Sequence, residues 1–350
     1  MEYNKILNGY KLETCEMHTC GEPVRILEST EPKIKFPDHS DILVKKKFFS
    51  ENFDFIRQML MLEPRGHKDM FGVIMTEPNE NSGSDIGILF LNTIGYASMC
   101  GHASIAIGRY MLEKNLITPD IPETTIRMDC LCGLVILFVE WDGVKIGKTK
   151  FHSVPAFVLN PNYEVSIPQF EFPLKCDIVY GGNFYAIIST KDLKTKFTSS
   201  NKEKIIENGI SLMKTLRKSF RFPQSMINPN PYLYGVLITE NHENSNTTDV
   251  LCIFGEESVD RSPCGSGTTA IIARDYFAQK LHLMEKKITR NPLLGDHSNF
   301  TGIPLKENIL ITSNCELKCI TVQISGRAYF AGKSTFTYEE DDHFKFGFNL

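Results

Sequence analysis

A helix that is apolar on nearly every face survives only if other elements wrap it on all sides. The stretch Ala103-Ser104-Ile105-Ala106-Ile107-Gly108-Arg109-Tyr110-Met111-Leu112 reads as such a helix, expected over 105–115. A curved sheet closing around a central helix meets that demand. Just before it stands Met99-Cys100-Gly101-His102-Ala103-Ser104. Cys264 follows Cys100 by 164 positions, in Asp260-Arg261-Ser262-Pro263-Cys264-Gly265-Ser266-Gly267-Thr268, and opens a second helix expected over 269–282. In both places a cysteine precedes a Gly-containing turn and a helix start. A helix N-terminus carries unpaired N–H groups and the positive end of the macrodipole, so it stabilises a thiolate and offers a seat for a carboxylate.

The 350 residues suffice for two domains, and 42% hydrophobic with 23% charged residues is an ordinary globular balance. A net charge of −4 shows no basic excess, and Lys45-Lys46-Lys47 is too short to be more than a solvated face, so no nucleic-acid partner is expected. Residues 1–13 lack a continuous apolar signal region, and the longest apolar run, 131–139, is broken by Gly133. No membrane segment is expected, and the protein reads as soluble and cytoplasmic. Ten cysteines scattered without a framework fit a reducing compartment. Neither Cys130 with Cys132 nor Cys315 with Cys319 has the spacing of a structural zinc site. These four read as buried thiols, and no metal or cofactor is expected.

Along the chain, Glu16-Met17-His18-Thr19-Cys20-Gly21-Glu22-Pro23-Val24-Arg25-Ile26 is a polar turn followed by an apolar strand. His18 and Glu22 either order that turn or support a site. Residues 48–62 read as one amphipathic helix carrying Phe49, Phe53, Ile56, Met59 and Leu60 on one side. A polar loop at 63–72, with His67 and Asp69, leads to a strand at 73–76, and another strand at 86–91 delivers the chain to Cys100. Further strands are expected at 125–129, 134–140, 143–151 and 156–159. The two prolines of Asn160-Pro161-Asn162-Tyr163-Glu164-Val165-Ser166-Ile167-Pro168 mark a linker. The domains are then 1–160 and 169–340, with a tail at 341–350 returning to the first. Shifting the first half by 164 sets 16–26 on 180–190. Strands at 125–129 and 134–139 are matched in outline to 309–313 and 319–324, as duplication would give.

Two domains that each present a helix-start cysteine place two thiols on opposite sides of a cleft between them. One thiolate and one thiol across a flat, carbanion-like intermediate remove a Cα proton from one face and return it from the other. Backbone N–H groups at Gly101, His102, Gly265 and Ser266 would hold the neighbouring carboxylate, and Asp260 a substrate ammonium group. A thiol redox sensor or a silent binding protein would use fewer of these residues.

Cys100-Gly101-His102, the stretch from Asp260 to Thr268, and Met17-His18-Thr19 with Gly21-Glu22-Pro23 closely resemble the motifs of the proline racemase family. That family includes proline racemases, 4-hydroxyproline 2-epimerases and trans-3-hydroxy-L-proline dehydratases, and the resemblance covers nearly the whole chain. It implies an α/β (α+β) fold of two pseudo-symmetric diaminopimelate-epimerase-like domains, each a curved sheet or barrel around a central helix. It further implies a homodimer, Cys100 and Cys264 as the two bases, and Gly101, His102, Asp260, Gly265 and Ser266 at a proline or hydroxyproline substrate. The loop 63–72, Tyr180-Gly181-Gly182-Asn183-Phe184-Tyr185-Ala186 and Gly326-Arg327-Ala328-Tyr329-Phe330 look most like the animal dehydratases. Those enzymes typically carry threonine at the place of Cys264, so the second thiol favours a racemase or epimerase. Cys20 departs from the glycine usual after His-Thr.

Overall fold

Strands with one buried face dominate the chain. In the first of them Leu12, Thr14, Met17 and Thr19 turn inward while Lys11, Glu13, Glu16 and His18 stay partly exposed, the period of two of a half-buried strand, interrupted once at buried Cys15, around which the register shifts. The computed structural model describes residues 10–38, 40–79, 82–223, 231–243, 245–255, 257–311 and 316–349. Cys315, Thr312 and Ser313 lie outside them.

The chain divides into two compact units, Met1–Phe151 with Arg327–Leu350, and His152–Gly326. In chain order the elements of the first are β1 (Lys11–Thr19), β2 (Glu22–Glu31), α1 (Ile42–Asn52), α2 (Asp54–Met61), β3 (Phe71–Thr76), β4 (Ile86–Asn92), β5 (Tyr96–Ala97), α3 (Gly101–Glu113), β6 (Glu123–Cys130), β7 (Gly133–Trp141) and β8 (Ile146–His152). The second holds β9 (Phe157–Val165), β10 (Leu174–Tyr180), β11 (Phe184–Ser189), α4 (Lys202–Ser219), β12 (Leu233–Asn241), β13 (Thr247–Phe254), β14 (Ser258–Val259), α5 (Gly265–Phe277), β15 (Lys287–Arg290), β16 (Asn299–Ile311) and β17 (Glu316–Gly326). The chain then closes with β18 (Ala328–Phe336), back in the first unit.

Pairing inside each unit follows one scheme. In the first, β18, β1 and β2 are antiparallel, β2 runs parallel to β3, β3 antiparallel to β4, β4 parallel to β6, and β6, β7 and β8 are antiparallel. In the second, β9, β10 and β11 are antiparallel, β11 runs parallel to β12, β12 antiparallel to β13, β13 parallel to β15, and β15, β16 and β17 are antiparallel. Even the two-residue strands β5 and β14 occupy the same place, on β4 and β13. Strand for strand the two schemes coincide, as duplication predicts. One match needs correction. By pairing order β6 corresponds to β15 and β7 to β16, so the apolar run at 309–311 is the far half of the long strand β16 and Cys319 belongs to β17. Apolar composition alone does not tell which of two adjacent strands is matched.

Each sheet curves around its helix without closing. Of α3 only Arg109 and Glu113 escape burial, and of α5 only Arg274, Tyr276 and Phe277. α3 packs against β1, β2, β3, β7 and β18, and α5 against β9, β10, β11, β16 and β17. Both helices start earlier than expected, immediately after the cysteine. The single helix expected at 48–62 is two. Phe53 leaves the helical region (φ −135°, ψ 16°) and its N–H caps the Phe49 carbonyl, while Asp54 restarts the turn and pairs with Arg57 at 2.7 Å. The expected linker is a strand: residues 160–165 lie in β9. Pro161 and Asn162 sit in a bulge opposite Asp177, whose carboxylate accepts the Asn162 N–H (2.9 Å), and a bulge is where a strand tolerates proline. The return to the first unit begins at Arg327, not at 341. Among the described residues no helix is long and apolar enough to cross a membrane.

Candidate active site

In the first unit Cys100 is the N-cap of α3, in extended backbone (φ −141°, ψ 109°) and 6% exposed. Its carbonyl accepts both the Ser104 N–H (2.9 Å) and the Ser104 hydroxyl (2.8 Å), which anchors the helix start. Its Sγ lies 3.2 Å from Nδ1 of His102 and 3.8 Å from Nε2. Burial pushes the His102 imidazole down to about 4, against the opposing pull of a hydrogen bond to the Pro23 carbonyl. A neutral imidazole has one N–H. Spent on Pro23, it leaves the other nitrogen as an acceptor for the thiol proton. The Thr19 hydroxyl donates to the His102 carbonyl (2.8 Å), and Phe71 meets the ring edge-on at 5.1 Å.

The β1–β2 hairpin supplies Thr19 and Pro23. Its two turn residues, Cys20 (φ 54°) and Gly21 (φ 91°), both need positive φ, which explains why glycine suits the first position and how Cys20 departs from it. His18 accepts the Gly21 N–H at Nδ1 (3.3 Å) and stacks on Tyr329 at 5.5 Å, so it orders the hairpin. Glu22 is wholly buried where β2 begins. In the loop before β3, His67 Nδ1 accepts the Asp69 N–H (3.3 Å), and Arg25 holds the loop by donating to the Leu60 (2.6 Å) and Arg65 (2.9 Å) carbonyls.

In the second unit Cys264 is the N-cap of α5 and 7% exposed, but its backbone is left-handed (φ 64°, ψ 117°), a conformation that costs a non-glycine residue about 1–3 kcal/mol. That turn folds Sγ back over the helix start, where it accepts the Gly267 N–H at 3.3 Å. A Cβ on Gly267 would come within 3.1 Å of the same sulfur. The Tyr185 hydroxyl lies 3.4 Å from Sγ and 2.7 Å from the Ser266 hydroxyl, itself 3.8 Å from Sγ. Asp260 is buried; its carboxylate accepts the Ser262 N–H (2.7 Å) and a hydrogen bond from the Cys264 side chain, while the Ser262 hydroxyl accepts the Cys264 N–H (3.1 Å). Burial pushes Asp260 up to about 6, with these bonds pulling the other way. Asn291 pins the turn by donating to the Asp260 and Arg261 carbonyls, both at 2.9 Å. The hairpin between β10 and β11 lies directly on α5: a Cβ on Gly181 would meet the Ser266 carbonyl at 2.4 Å.

Each unit thus gathers its expected residues, Cys100, Gly101 and His102 in one, Asp260, Cys264, Gly265 and Ser266 in the other. Sequence reasoning missed Thr19, Phe71, Tyr185 and Ser262 as neighbours of the thiols. Gly181, where no Cβ fits against the start of α5, was an available signal, though a glycine marks a close approach without naming its partner. Burial raises Cys130, Cys132 (to about 11), Cys176 (to about 12), Cys15 and Cys319, which keeps those thiols protonated and inert.

A thiol at the start of a buried central helix thus recurs in two topologically equivalent units of an α/β fold. Residues 14–349 match the family model described as proline racemase, and the chain belongs to that family. It is 37% identical to the trans-L-3-hydroxyproline dehydratase of Saccoglossus kowalevskii, over 95% of this chain and 100% of that one. The bovine (Bos taurus) dehydratase is 36% identical over 97% of this chain and 94% of its own. The proline racemase of Acetoanaerobium sticklandii is 32% identical over 97% and 98%. Among solved structures, a hydroxyproline epimerase from Agrobacterium vitis with bound trans-4-hydroxy-L-proline superposes with a TM-score of 0.83 at 20% identity, covering 97% of this chain and 96% of that one. A PhzF-family phenazine biosynthesis protein from Bacillus anthracis shares the fold more distantly, with a TM-score of 0.58 at 10% identity, covering 94% of this chain and 99% of that one. The relatives are racemases, epimerases and hydro-lyases.

Proposed function

We propose that this enzyme removes the Cα proton of proline or a hydroxyproline with one helix-start cysteine and returns a proton from the other, racemising or 2-epimerising the substrate. The observation that carries the reading is the thiol at the same place in both units, at the N-cap of α3 and of α5. Inversion needs a donor opposite the base, and a hydroxyl is a poor proton donor to carbon. Cys100, beside the neutral His102 acceptor, serves as the base toward the L substrate. Cys264, within reach of the Tyr185 and Ser266 hydroxyls, serves as the donor. The N–H groups of Gly101, His102, Gly265 and Ser266 take the substrate carboxylate and its developing charge, and Asp260 takes the ammonium. No metal or cofactor enters this scheme. By family resemblance the enzyme is a homodimer. None of the nine described cysteines is in a disulfide, which fits a cytoplasmic protein, and its partner is a small molecule rather than nucleic acid or a membrane.

A second reading, trans-3-hydroxy-L-proline dehydratase, is favoured by the names of the relatives at 36–37% identity. There Cys100 takes the α-proton, an acid protonates the 3-hydroxyl so that it leaves as water, and no second thiol is required to return a proton to Cα. Assays of L-proline, trans-4-hydroxy-L-proline and trans-3-hydroxy-L-proline, following optical rotation and pyrroline product together, separate the two. Loss of rotation with L-proline, or a change of rotation with trans-4-hydroxy-L-proline, is the expected result. Pyrroline from the third with no inversion of the others would overturn it.

A further inference from the structure

Cys264 does not stand alone. The sulfurs of Cys252 and Cys264 and a carboxylate oxygen of Asp260 all lie within 4.8 Å of one another, and all three residues are buried. They come from different elements: Cys252 from β13, Asp260 from the turn after β14, Cys264 from the start of α5. Backbone bonds hold them together. The Asp260 N–H donates to the Cys252 carbonyl (3.0 Å), and Asn291 fixes the turn from the other side. The first unit provides an internal comparison. In the ladder equivalent to β13–β14, Leu89 stands where Cys252 does and Ser98 where Asp260 does, so the donor set belongs to the second unit alone.

We infer that Cys252, Asp260 and Cys264 form a three-ligand site for a soft divalent cation such as zinc, and that the cation inhibits the enzyme by occupying the Cys264 thiolate. Two thiolates and a carboxylate suit zinc or cadmium, and three protein ligands leave a fourth position open. Tetrahedral zinc, with bonds of about 2.3 Å to sulfur and about 2.1 Å to oxygen, sets neighbouring donors about 3.5–3.8 Å apart, so the donors close by about an ångström at most to bind it. The cation displaces the thiol protons, and with them the hydrogen that Cys264 would give to a substrate. It also competes for Asp260, the group assigned to the substrate ammonium. The binding itself does not depend on the proposed substrate; the inhibition does.

The test uses the full chain, reduced, stripped with a chelator and desalted, and titrated with cadmium chloride while the ultraviolet thiolate-to-cadmium charge-transfer absorption is followed. The absorption is expected to saturate at one cadmium per chain. Cys252→Ser, and Cys252→Ala in case a buried hydroxyl disturbs β13, should each lose about half the absorption and bind about tenfold more weakly or worse. Cys132→Ser should leave it unchanged. Zinc should inhibit Cα-proton exchange in the parent, with about tenfold more needed for the Cys252 variants, which keep their basal exchange. Absence of a saturable band, or a band untouched in both Cys252 variants, overturns the inference. A band that behaves as expected in a protein with no Cα exchange upholds the cation site and sinks the proposed reaction instead.

Discussion

Cys100 and Cys264 share a position but not a surrounding, and the difference is decided by single residues. Cys100 leans on a neutral histidine two residues on, whereas Cys264 turns through positive φ and takes the Gly267 N–H, with Tyr185 and Ser266 hydroxyls nearby. Iodoacetamide should therefore alkylate Cys100 or Cys264 ahead of Cys130, Cys132, Cys176 and Cys319, whose thiols burial keeps protonated, and the planar mimic pyrrole-2-carboxylate should protect both. Peptide mapping that found any of those four reacting first would refute the assignment. His102 carries a pH signature of its own. Its folded value of about 4 lies below the ordinary 6.5, so between them the unfolded chain binds a proton that the folded chain refuses. Stability contributed at neutral pH is lost as the pH falls through that window, by on the order of 3 kcal/mol. Urea midpoints across the window should fall less steeply in His102→Asn than in the parent, and equal slopes would show that His102 is not held neutral by burial. The cysteines, His102 and Asp260 were legible because their chemistry is rare and their spacing to a helix start is readable. Tyr185, Thr19 and Cys252 were not, since what qualifies them is contact across 79 residues in one case (Tyr185 with Cys264) and a register between strands in another.

At the scale of elements, the two hairpins that touch the central helices do for the site what no distant strand can. Gly181 leaves no room for a side chain against the Ser266 carbonyl and Ala270 backbone, so Gly181→Ala should push the β10–β11 turn off α5. A loss of about 1–3 kcal/mol is expected, together with a fall in kcat larger than in KM if the turn positions Tyr185 and Ser266. Denaturation and steady-state kinetics on the same preparation check this, and an unchanged protein would mean that the turn is free to move. Helices α3 and α5 were legible because all-round apolarity leaves a helix only one place to go. The break at Phe53 was hidden because Asp54 and Arg57 restart the helix without disturbing the apolar face. Pro161 misled for the opposite reason: a proline reads as a breaker, and only the pairing with β10 shows that a bulge absorbs it. The pairing of β18 with β1 was hidden as well, for composition does not tell which distant strand another strand pairs with.

The whole molecule is one scheme of strands used twice, with a thiol at the same place in each copy, and the proposed inversion needs both thiols. On the proposed reading Cys264→Thr keeps the base and a hydroxyl but removes the proton donor, and Cys100→Ser removes the base. Steady-state rates of Cα inversion on L-proline and trans-4-hydroxy-L-proline, beside water elimination from trans-3-hydroxy-L-proline, measure that dependence. Cys264→Thr should lose inversion by a factor of about 10² or more while any elimination persists or appears, and Cys100→Ser should lose both. Inversion at the parent rate in Cys264→Thr would contradict the account, leaving Cys264 a packed thiol with no part in returning the proton.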